Sequence, residues 1–269
     1  MKKAITIFTP TYNRAYILNQ LYQSLCRQSS QDFEWLIVDD GSNDQTRELV
    51  DSFIEEQKIV IRYFYQKNGG KHRAINYGVQ KAQGKLFFIV DSDDFLTLDA
   101  VETIKNEWNE ITDKSLYAGL CLRKIHIKND ETFGKKFPLQ KFDSNSLDLA
   151  FTLGIIGDKA IIFQTHVLEQ YPFPELSGER FVPEALIWYR IAHSGLLLRC
   201  IDKGIYRCEY LPDGLSKNFR SNLKNNPRGF LLFYLETLGY KEIPAFPVKI
   251  KAMVRIIQCY FYKLLKTRD

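Results

Sequence analysis

Short apolar runs alternate with longer amphipathic stretches through the first 100 residues of the chain. The apolar runs predict buried β-strands at residues 4–8, 35–38, 59–65 and 86–90. Between them, apolar residues recur at helical spacing, which predicts helices at residues 16–28, 46–57 and 72–82. Strands that alternate with helices of about 10–15 residues are typical of βαβ units. This part of the chain is therefore predicted to be α/β, with a parallel sheet.

The alternation becomes irregular after residue 100. Strands are predicted at residues 116–127, 160–163 and 196–201, with a further strand-like run at residues 205–209. A helix with proline in its first turn is predicted over residues 183–193. Apolar and basic residues mix at helical spacing from residue 249 to residue 266. We therefore expect one domain over residues 1–243, built from the halves 1–100 and 101–243, and a basic amphipathic helical tail over residues 244–269.

The composition is that of an ordinary globular protein, with 269 residues of which 45% are apolar and 26% are charged. The net charge of +5 is small and does not indicate a nucleic-acid partner. The five cysteines include no CxxC pair, which predicts free thiols in a reducing cytosol and argues against zinc. No apolar run reaches the ~20 residues of a membrane span, and the N-terminal run has no signal-peptide cleavage site. We therefore expect a cytoplasmic protein.

The apolar run at residues 86–90 leads directly into three carboxylates, Asp91, Asp93 and Asp94. Burial of unpaired charges is costly, so a cation is expected beside them. Hard oxygen ligands of this kind suit Mg²⁺ or Mn²⁺ bound together with the phosphates of a substrate. The alternative is that these acids only cap a helix that begins near Leu98.

Two other predicted strands also end in polar loops, at residues 9–14 and 39–42. Ligands of open parallel sheets bind outside the carboxyl ends of the strands, so the three loops are expected to form one site. Neither a GxGxxG motif nor a GxxxxGK[ST] loop follows the first strand. This argues against a dinucleotide-binding or P-loop protein.

Five motifs follow one another within residues 4–100: Thr9-Pro10-Thr11-Tyr12-Asn13-Arg14, Val38-Asp39-Asp40-Gly41-Ser42, Asn68-Gly69-Gly70, Ala82-x-Gly84 and Val90-Asp91-Ser92-Asp93-Asp94. In these motifs and their spacing the chain resembles glycosyltransferase family 2, the inverting nucleotide-sugar transferases of GT-A fold. The resemblance implies a Rossmann-like, mostly parallel central sheet flanked by helices. It also implies that residues 1–100 bind the nucleotide-sugar and that the less regular residues 101–243 bind the acceptor.

The resemblance further implies which residues bind the donor and the metal. Asp93 would ligate Mn²⁺ or Mg²⁺, and donor contacts are implied for Pro10, Tyr12, Arg14, Asp40, Lys71, Asp91 and Ser92. The Tyr12 ring would lie along the base, and Asp40 would accept a hydrogen bond from a ring N–H of the base. Asp39 is expected to support this loop, with capping of a helix near Thr46 as the alternative.

Basic residues open the helix that follows Gly69-Gly70. Lys71 and Arg73 would favour the donor phosphates there, because a helix N-terminus attracts anions. His72 lies between them and is expected to be a solvated helix residue, with contact to the donor as the alternative.

The resemblance also implies a general base, which inversion at the anomeric carbon requires. Family members often carry an acidic pair before an apolar helix that reads x-D-L-W-x-R. Alignment of Trp188 and Arg190 with that pattern puts Glu184 at the position of the base, with Pro183 in place of the first acid. Because of this departure from the pattern, Glu179 stays open as the alternative base.

The resulting expectation is an inverting, metal-dependent glycosyltransferase that moves a hexosyl or acetylhexosaminyl group. The favoured donor is a UDP-sugar, and the favoured acceptor is a lipid-linked saccharide of bacterial capsule, O-antigen or exopolysaccharide. The alternatives are a non-catalytic nucleotide- or carbohydrate-binding module of this fold and a sugar nucleotidyltransferase. The latter begins with a glycine-rich phosphate loop, which residues 9–14 do not provide.

Two segments carry open alternatives of their own. The basic tail either contacts the inner face of the cell membrane or packs its apolar side on the domain. Residues 213–220 either close over the donor or form an ordinary Asp-Gly turn.

Overall fold

A computed structural model of the chain describes residues 3–209 and 219–266. Its first part alternates strands and helices as the apolar pattern predicts: β1 (Ile5–Thr11), α1 (Leu18–Cys26), β2 (Phe33–Asp39), α2 (Thr46–Glu55), β3 (Ile61–Tyr65), α3 (Lys71–Lys81) and β4 (Leu86–Ile89). These four strands pair in the order β3-β2-β1-β4 and are all parallel. Their carboxyl ends therefore meet at one edge of the sheet.

The second part continues the same sheet with mixed strand directions. Its elements are β5 (Phe95–Leu96), α4 (Ala100–Asn109), β6 (Tyr117–His126), β7 (Lys141–Ser144), β8 (Lys159–Gln164), α5 (Thr165–Gln170), α6 (Ala185–His193) and β9 (Leu197–Cys208). The order continues β4-β8-β6-β9-β5, and β7 pairs with β9. Strand β8 runs antiparallel to both β4 and β6. The predicted central sheet flanked by helices is confirmed for the described chain, but the sheet is mixed and not mostly parallel: four of its strand pairings are parallel and four are antiparallel.

Apolar side chains cover both faces of the sheet, because neighbouring strand residues point to opposite sides. On one face Ile7 and Phe88 pack with α1, α2 and α4, whereas on the other Phe8 and Phe87 pack with α3, α5 and α6. The burial of two layers fixes the register of the parallel strands. It thereby fixes the positions of the loops that follow them.

Strand β9 is longer than the predicted strand at residues 196–201. The sequence also predicts a strand-like run at residues 205–209, and Asp202 and Lys203 interrupt the apolar pattern between the two runs. In the structure Asp202 accepts a hydrogen bond from the buried Arg123 guanidinium at 3.1 Å, so the strand continues past the polar residues. The extension carries Tyr206 to the edge of the sheet, beside β5.

Three further α-helices follow β9 in the described residues: α7 (Phe219–Asn225), α8 (Pro227–Gly239) and α9 (Ile250–Lys266). Short 3-10 or π-helical turns lie at Lys114–Leu116, Asp148–Thr152 and Ala245–Lys249. The predicted tail helix is thus present as α9, whereas the division into a domain and a tail stays a prediction. Among the described residues, no helix is long and apolar enough to cross a lipid bilayer. Residues 213–218 of the predicted closing segment lie outside the described residues.

Candidate active site

Three loops meet at the carboxyl edge of the parallel strands. Thr11 lies beside Asp39 in the register of β1 and β2, and the Asp40 N–H donates to the Thr11 carbonyl at 2.8 Å. On the other side of β1, the Val90 N–H donates to the Phe8 carbonyl at 2.8 Å. The structure therefore brings together residues 12–14, 40–42 and 91–94, as the sequence predicts.

Asp40 organises the loop that leads into α3. Its buried carboxylate accepts hydrogen bonds from the Gln66 amide at 2.7 Å, the Gly69 N–H at 2.8 Å and the Gly70 N–H at 2.7 Å. A carboxylate has about four acceptor sites, so these bonds leave roughly one of them for a ligand. The predicted bond from Asp40 to a base stays a prediction; the structure adds that Asp40 also sets the start of α3.

Asp39 supports the neighbouring turn and does not cap α2. One of its oxygens accepts from the Ser42 N–H at 2.7 Å and the other from the Tyr63 hydroxyl at 2.7 Å. The Thr46 N–H is instead bound by Asp44 at 3.1 Å. The expected supporting role of Asp39 is confirmed, and the capping alternative is wrong.

The first loop places an aromatic ring and a cation at the edge. Pro10 lies within β1 beside Val38, and the Tyr12 side chain is 48% exposed. The Arg14 guanidinium packs over the Tyr16 ring and donates to its hydroxyl. The positive charge of Arg14 also reaches the acidic loop, where it lowers the pKa of Asp91. These positions suit donor contacts, and those contacts stay predictions.

Lys71 joins the two halves of the predicted site. Its Nζ lies 2.6 Å from Asp91 Oδ1 and 2.8 Å from Glu184 Oε1. Burial alone would lower the pKa of Lys71, but the nearby carboxylates of Asp91 and Glu184 have the larger effect and raise it. Lys71 and Lys124 in turn lower the pKa of Asp91 despite its burial. Lys71 thus forms one ion-pair cluster with Asp91, which is predicted to contact the donor, and with Glu184, the predicted base.

Glu179, the alternative base, has a different role. It is 3% exposed, and its two oxygens accept from the Arg228 and Gly229 N–H groups, each at 2.8 Å. Both N–H groups lie in the first turn of α8, where backbone N–H groups have no acceptor within the helix. Glu179 therefore caps α8, and this arrangement favours Glu184 as the base.

Asp91 pairs with Lys71, and Asp94 lies beside Lys124 and Tyr206, whereas Asp93 has no ion-pair partner among the described residues. Burial, together with the negative charge of Asp91, raises the pKa of Asp93. Ser92 is buried beside it. These acids do not cap a helix near Leu98, since α4 begins at Ala100, with Asp99 as its N-cap residue; that alternative is wrong.

Two residues that the sequence analysis missed hold the acidic loop in place. The Tyr206 hydroxyl donates to Asp94 Oδ2 at 2.7 Å and accepts from the Asp91 N–H at 3.0 Å. The Lys124 ammonium lies 3.9 Å from the centre of the Tyr206 ring and 3.8 Å from Asp94 Oδ2. Burial raises the pKa of Asp94 to about 7, with Lys124 opposing and Asp91 adding to the shift. Tyr206 comes from β9 and Lys124 from β6, so both lie at least 30 residues from Asp94 in the chain.

His72 is buried, which corrects the expectation of a solvated residue. It is 2% exposed, and neither ring nitrogen has a hydrogen-bond partner among the described residues. The residue lies three and seven positions before Ile75 and Val79, on the face of α3 that packs on the sheet. Burial, together with the charge of Arg73, lowers the pKa of His72 to about 4, so the imidazole is neutral.

The carboxylate oxygens of the acidic loop suit a divalent cation that is also bound by a ligand. No group of three histidine, cysteine or acidic side chains within residues 3–209 and 219–266 is arranged to hold a metal alone. Mg²⁺ is usually bound by one or two carboxylates together with substrate phosphates and water. Asp93 supplies such a carboxylate, and a cation there would offset the cost of its buried charge.

The chain is similar to known proteins over part of its own length and part of theirs. A Haemophilus influenzae glycosyltransferase is 40% identical over 98 residues, 36% of this chain and 39% of the relative. A Campylobacter jejuni GalNAc(5)-diNAcBac-PP-undecaprenol beta-1,3-glucosyltransferase is 27% identical over 192 residues, 70% of this chain and 59% of the relative. The chain thus spans about two fifths of the first relative and three fifths of the second.

Solved structures and a family profile complete the comparison. Staphylococcus aureus TarS 1–349 in complex with UDP-GlcNAc superposes with a TM-score of 0.68 at 19% identity, over 96% of this chain and 72% of the TarS 1–349 chain. The Pyrobaculum calidifontis mannosyltransferase PcManGT, in complex with GDP-Man and Mn²⁺, gives 0.62 at 15% identity, over 100% and 76% of the two chains. These likenesses show a shared fold. Residues 6–165 match the profile of Glycosyl transferase family 2, and the chain belongs to this family.

Proposed function

We propose that the protein is an inverting, metal-dependent glycosyltransferase that moves a sugar from a nucleoside-diphosphate sugar to a saccharide acceptor. The observation that carries this proposal is the Lys71 ion-pair cluster, which joins the acidic loop of the donor half to Glu184. A UDP-sugar that carries a hexosyl or acetylhexosaminyl group is the proposed donor. The UDP-GlcNAc bound to TarS supports this choice.

On the donor side, the exposed Tyr12 ring stacks on the base, and Pro10 and Asp40 shape the pocket around it. Asp91 and Ser92 contact the nucleoside, while Arg14 and Lys71 attract the diphosphate. Asp93 would hold Mn²⁺ or Mg²⁺ together with the diphosphate, and a cation bound there would neutralise charge on the departing nucleoside diphosphate.

On the acceptor side, Glu184 removes the proton of the attacking hydroxyl. The acceptor oxygen forms a bond to the anomeric carbon as the bond to the diphosphate oxygen breaks, which inverts the configuration. The Lys71 ammonium lies 2.8 Å from the Glu184 carboxylate and positions it. The donor phosphates offer Lys71 a second anionic partner, so donor binding releases the base for the acceptor.

The proposed acceptor is a saccharide carried on a lipid, as in the synthesis of bacterial surface polysaccharide. The name of the Campylobacter jejuni relative describes an acceptor linked through a diphosphate to undecaprenol. Such acceptors place the reaction at the inner face of the cell membrane.

Nucleotide and metal binding provide a direct test of the donor site. UDP or GDP with Mn²⁺ is expected to stabilise the protein by about 2.7 kcal/mol at 100 times the Kd. Asp93→Asn should lose the part of this stabilisation that depends on Mn²⁺, because the amide carries no charge. Thermal unfolding with and without Mn²⁺ measures both effects.

Asp51→Asn is the matched control for this experiment, since Asp51 lies on the surface of α2 in an exposed pair with Arg47. It should respond to the nucleotide like the wild type. Equal Mn²⁺-dependent stabilisation of Asp93→Asn and the wild type would contradict the metal assignment. An absence of stabilisation by any nucleotide would contradict the proposed function.

Tyr206→Phe is expected to weaken binding of UDP with Mn²⁺ about tenfold, while the free energy of unfolding changes by about 1 kcal/mol. The variant loses the hydroxyl that positions the Asp91 backbone and the Asp94 carboxylate. Titration calorimetry measures the affinity. Tyr22→Phe removes a similar bond, from a tyrosine hydroxyl of α1 to Glu56 after α2, and should leave affinity unchanged. Wild-type affinity of Tyr206→Phe would refute the positioning role.

A further inference from the structure

The helix α9 packs on the protein with one side only. Its buried residues Ala252 and Cys259 lie two turns apart, and Cys259 packs against Leu223 of α7 and Phe230 of α8. The opposite side carries eight large apolar residues that are 42–70% exposed, namely Ile250, Met253, Val254, Ile257, Tyr260, Phe261, Leu264 and Leu265. Their spacing of three or four residues places them in one continuous stripe, about 22 Å long.

A continuous apolar stripe of this size is unusual on the surface of a soluble protein and indicates an interaction surface. The charges of α9 identify the partner. The helix contains Lys251, Arg255, Lys263 and Lys266 and no acidic residue. Two copies of so basic a helix would repel each other, whereas an anionic surface would attract it. An apolar side combined with several basic residues is the pattern of helices that lie in the surface of an anionic bilayer.

We propose that α9 docks the protein on the surface of an anionic lipid bilayer. The apolar stripe enters the boundary between headgroups and acyl chains. Lys251 and Lys263 are both exposed. Lys251 lies beside the stripe, where its long side chain reaches the anionic headgroups, whereas Lys263, four residues after the buried Cys259, lies towards the packed side and adds to the positive charge of the helix. Arg255 and Lys266 have a second role within the protein, since Arg255 packs over the Phe219 ring and Lys266 donates to backbone carbonyls.

The C-terminal end of α9 is tied to the segment that leads to the proposed base. The Lys266 ammonium donates to the Gly178 carbonyl at 3.3 Å and to the Asn225 carbonyl at 2.6 Å. Gly178 is followed directly by Glu179, which caps α8, and then by the stretch that ends at Glu184. A bilayer bound to α9 would therefore border the acceptor side of the site. This link to a lipid-linked acceptor rests on the proposed function, whereas the docking surface rests on α9 alone.

Vesicle flotation of the full chain tests the docking surface. The probes are vesicles of phosphatidylcholine alone and vesicles with about one third phosphatidylglycerol, both without nucleotide. The wild type should float with the anionic vesicles, and less so as the salt concentration rises. Replacement of Ile257, Phe261 and Leu264 together by serine should lower binding at least tenfold. Replacement of Lys251 and Lys263 by glutamine should lower it about fivefold for each lysine.

The matched control replaces Leu98, Leu139 and Ile156 by serine, because these residues are 62–74% exposed and lie outside α9. This variant should bind vesicles like the wild type. Circular dichroism and thermal unfolding check that all variants are folded.

Three outcomes would overturn the proposal: no flotation of the wild type, equal flotation of the α9 serine variant, or a wild-type dimer in sedimentation velocity that the same substitutions dissociate. Nucleotide-induced stabilisation of the same samples is measured separately. Vesicle binding without stabilisation by nucleotide would support the docking surface while it refutes the proposed function, so the two failures are distinguishable.

Discussion

Glu184→Gln is expected to lower the rate of sugar transfer by about 10²–10⁴-fold, which corresponds to about 3–5 kcal/mol of activation free energy. The amide keeps the size of the side chain but cannot take the proton of the acceptor hydroxyl. Binding of UDP with Mn²⁺ should change little, because Asp91 still pairs with Lys71 at 2.6 Å. Single-turnover transfer measures the rate, and titration calorimetry measures nucleotide affinity.

Glu179→Gln is the matched control, since it makes the same chemical change five residues earlier. Glutamine offers one acceptor oxygen where Glu179 binds two N–H groups of α8, so one of them loses its partner. This should lower the free energy of unfolding by about 1–3 kcal/mol and leave the transfer rate near that of the wild type. The opposite result, slow transfer by Glu179→Gln and normal transfer by Glu184→Gln, would show that the base is assigned wrongly.

A large effect of pH on stability is expected from His72. Its pKa is about 4 in the folded protein and about 6.5 in the unfolded chain, so the unfolded chain binds the proton more readily. The stabilising contribution is fully present above about pH 6.5 and is lost as the pH falls towards 4. The difference amounts to about 3 kcal/mol of unfolding free energy at its largest. The nearby charges of Arg73 and Glu175 act in opposite directions on this shift.

His72→Phe isolates this contribution, because phenylalanine fills a similar buried volume and does not titrate. Urea unfolding at pH 7.5, 6 and 5 should show a steeper loss of stability for the wild type than for the variant. Other groups, such as Asp94 with its raised pKa, titrate in both proteins and cancel in the comparison. His193→Phe makes the same chemical change at an exposed residue of α6 and serves as the control. Parallel pH profiles for the wild type and His72→Phe would contradict a buried neutral imidazole.

The alternating first half of the fold could be predicted because each strand or helix can be recognised from the pattern of its own residues. Strand β4 is a short apolar run, and α3 follows two glycines and shows helical spacing. Parallel strands bring their carboxyl ends to one edge, so residues 12–14, 40–42 and 91–94 could be placed together without a structure. The second half was harder to predict because its strands pair with distant partners, such as the two-residue β5 with β9.

The parts of the site that could not be predicted depend on tertiary contacts. Tyr206 and Lys124 sit in strands whose sequences give no sign that they reach Asp94. His72 lies between two cations in the sequence and was expected on the surface, but its helix turns it towards the sheet. Glu179 and Glu184 are equivalent in type and close in sequence. Only the position of α8 shows that Glu179 is occupied by backbone donors.

The contact between Gly70 and Arg180 has a mechanical consequence. Gly70 has a φ of +97°, and a Cβ atom there would lie 1.9 Å from the Arg180 carbonyl oxygen. At this point the loop that precedes α3 contacts the segment between Glu179 and Glu184 through backbone atoms. No side chain separates the two backbones at this contact. A shift of either segment has to push the other, so a displacement at the start of α3 is transmitted to the segment that leads to Glu184.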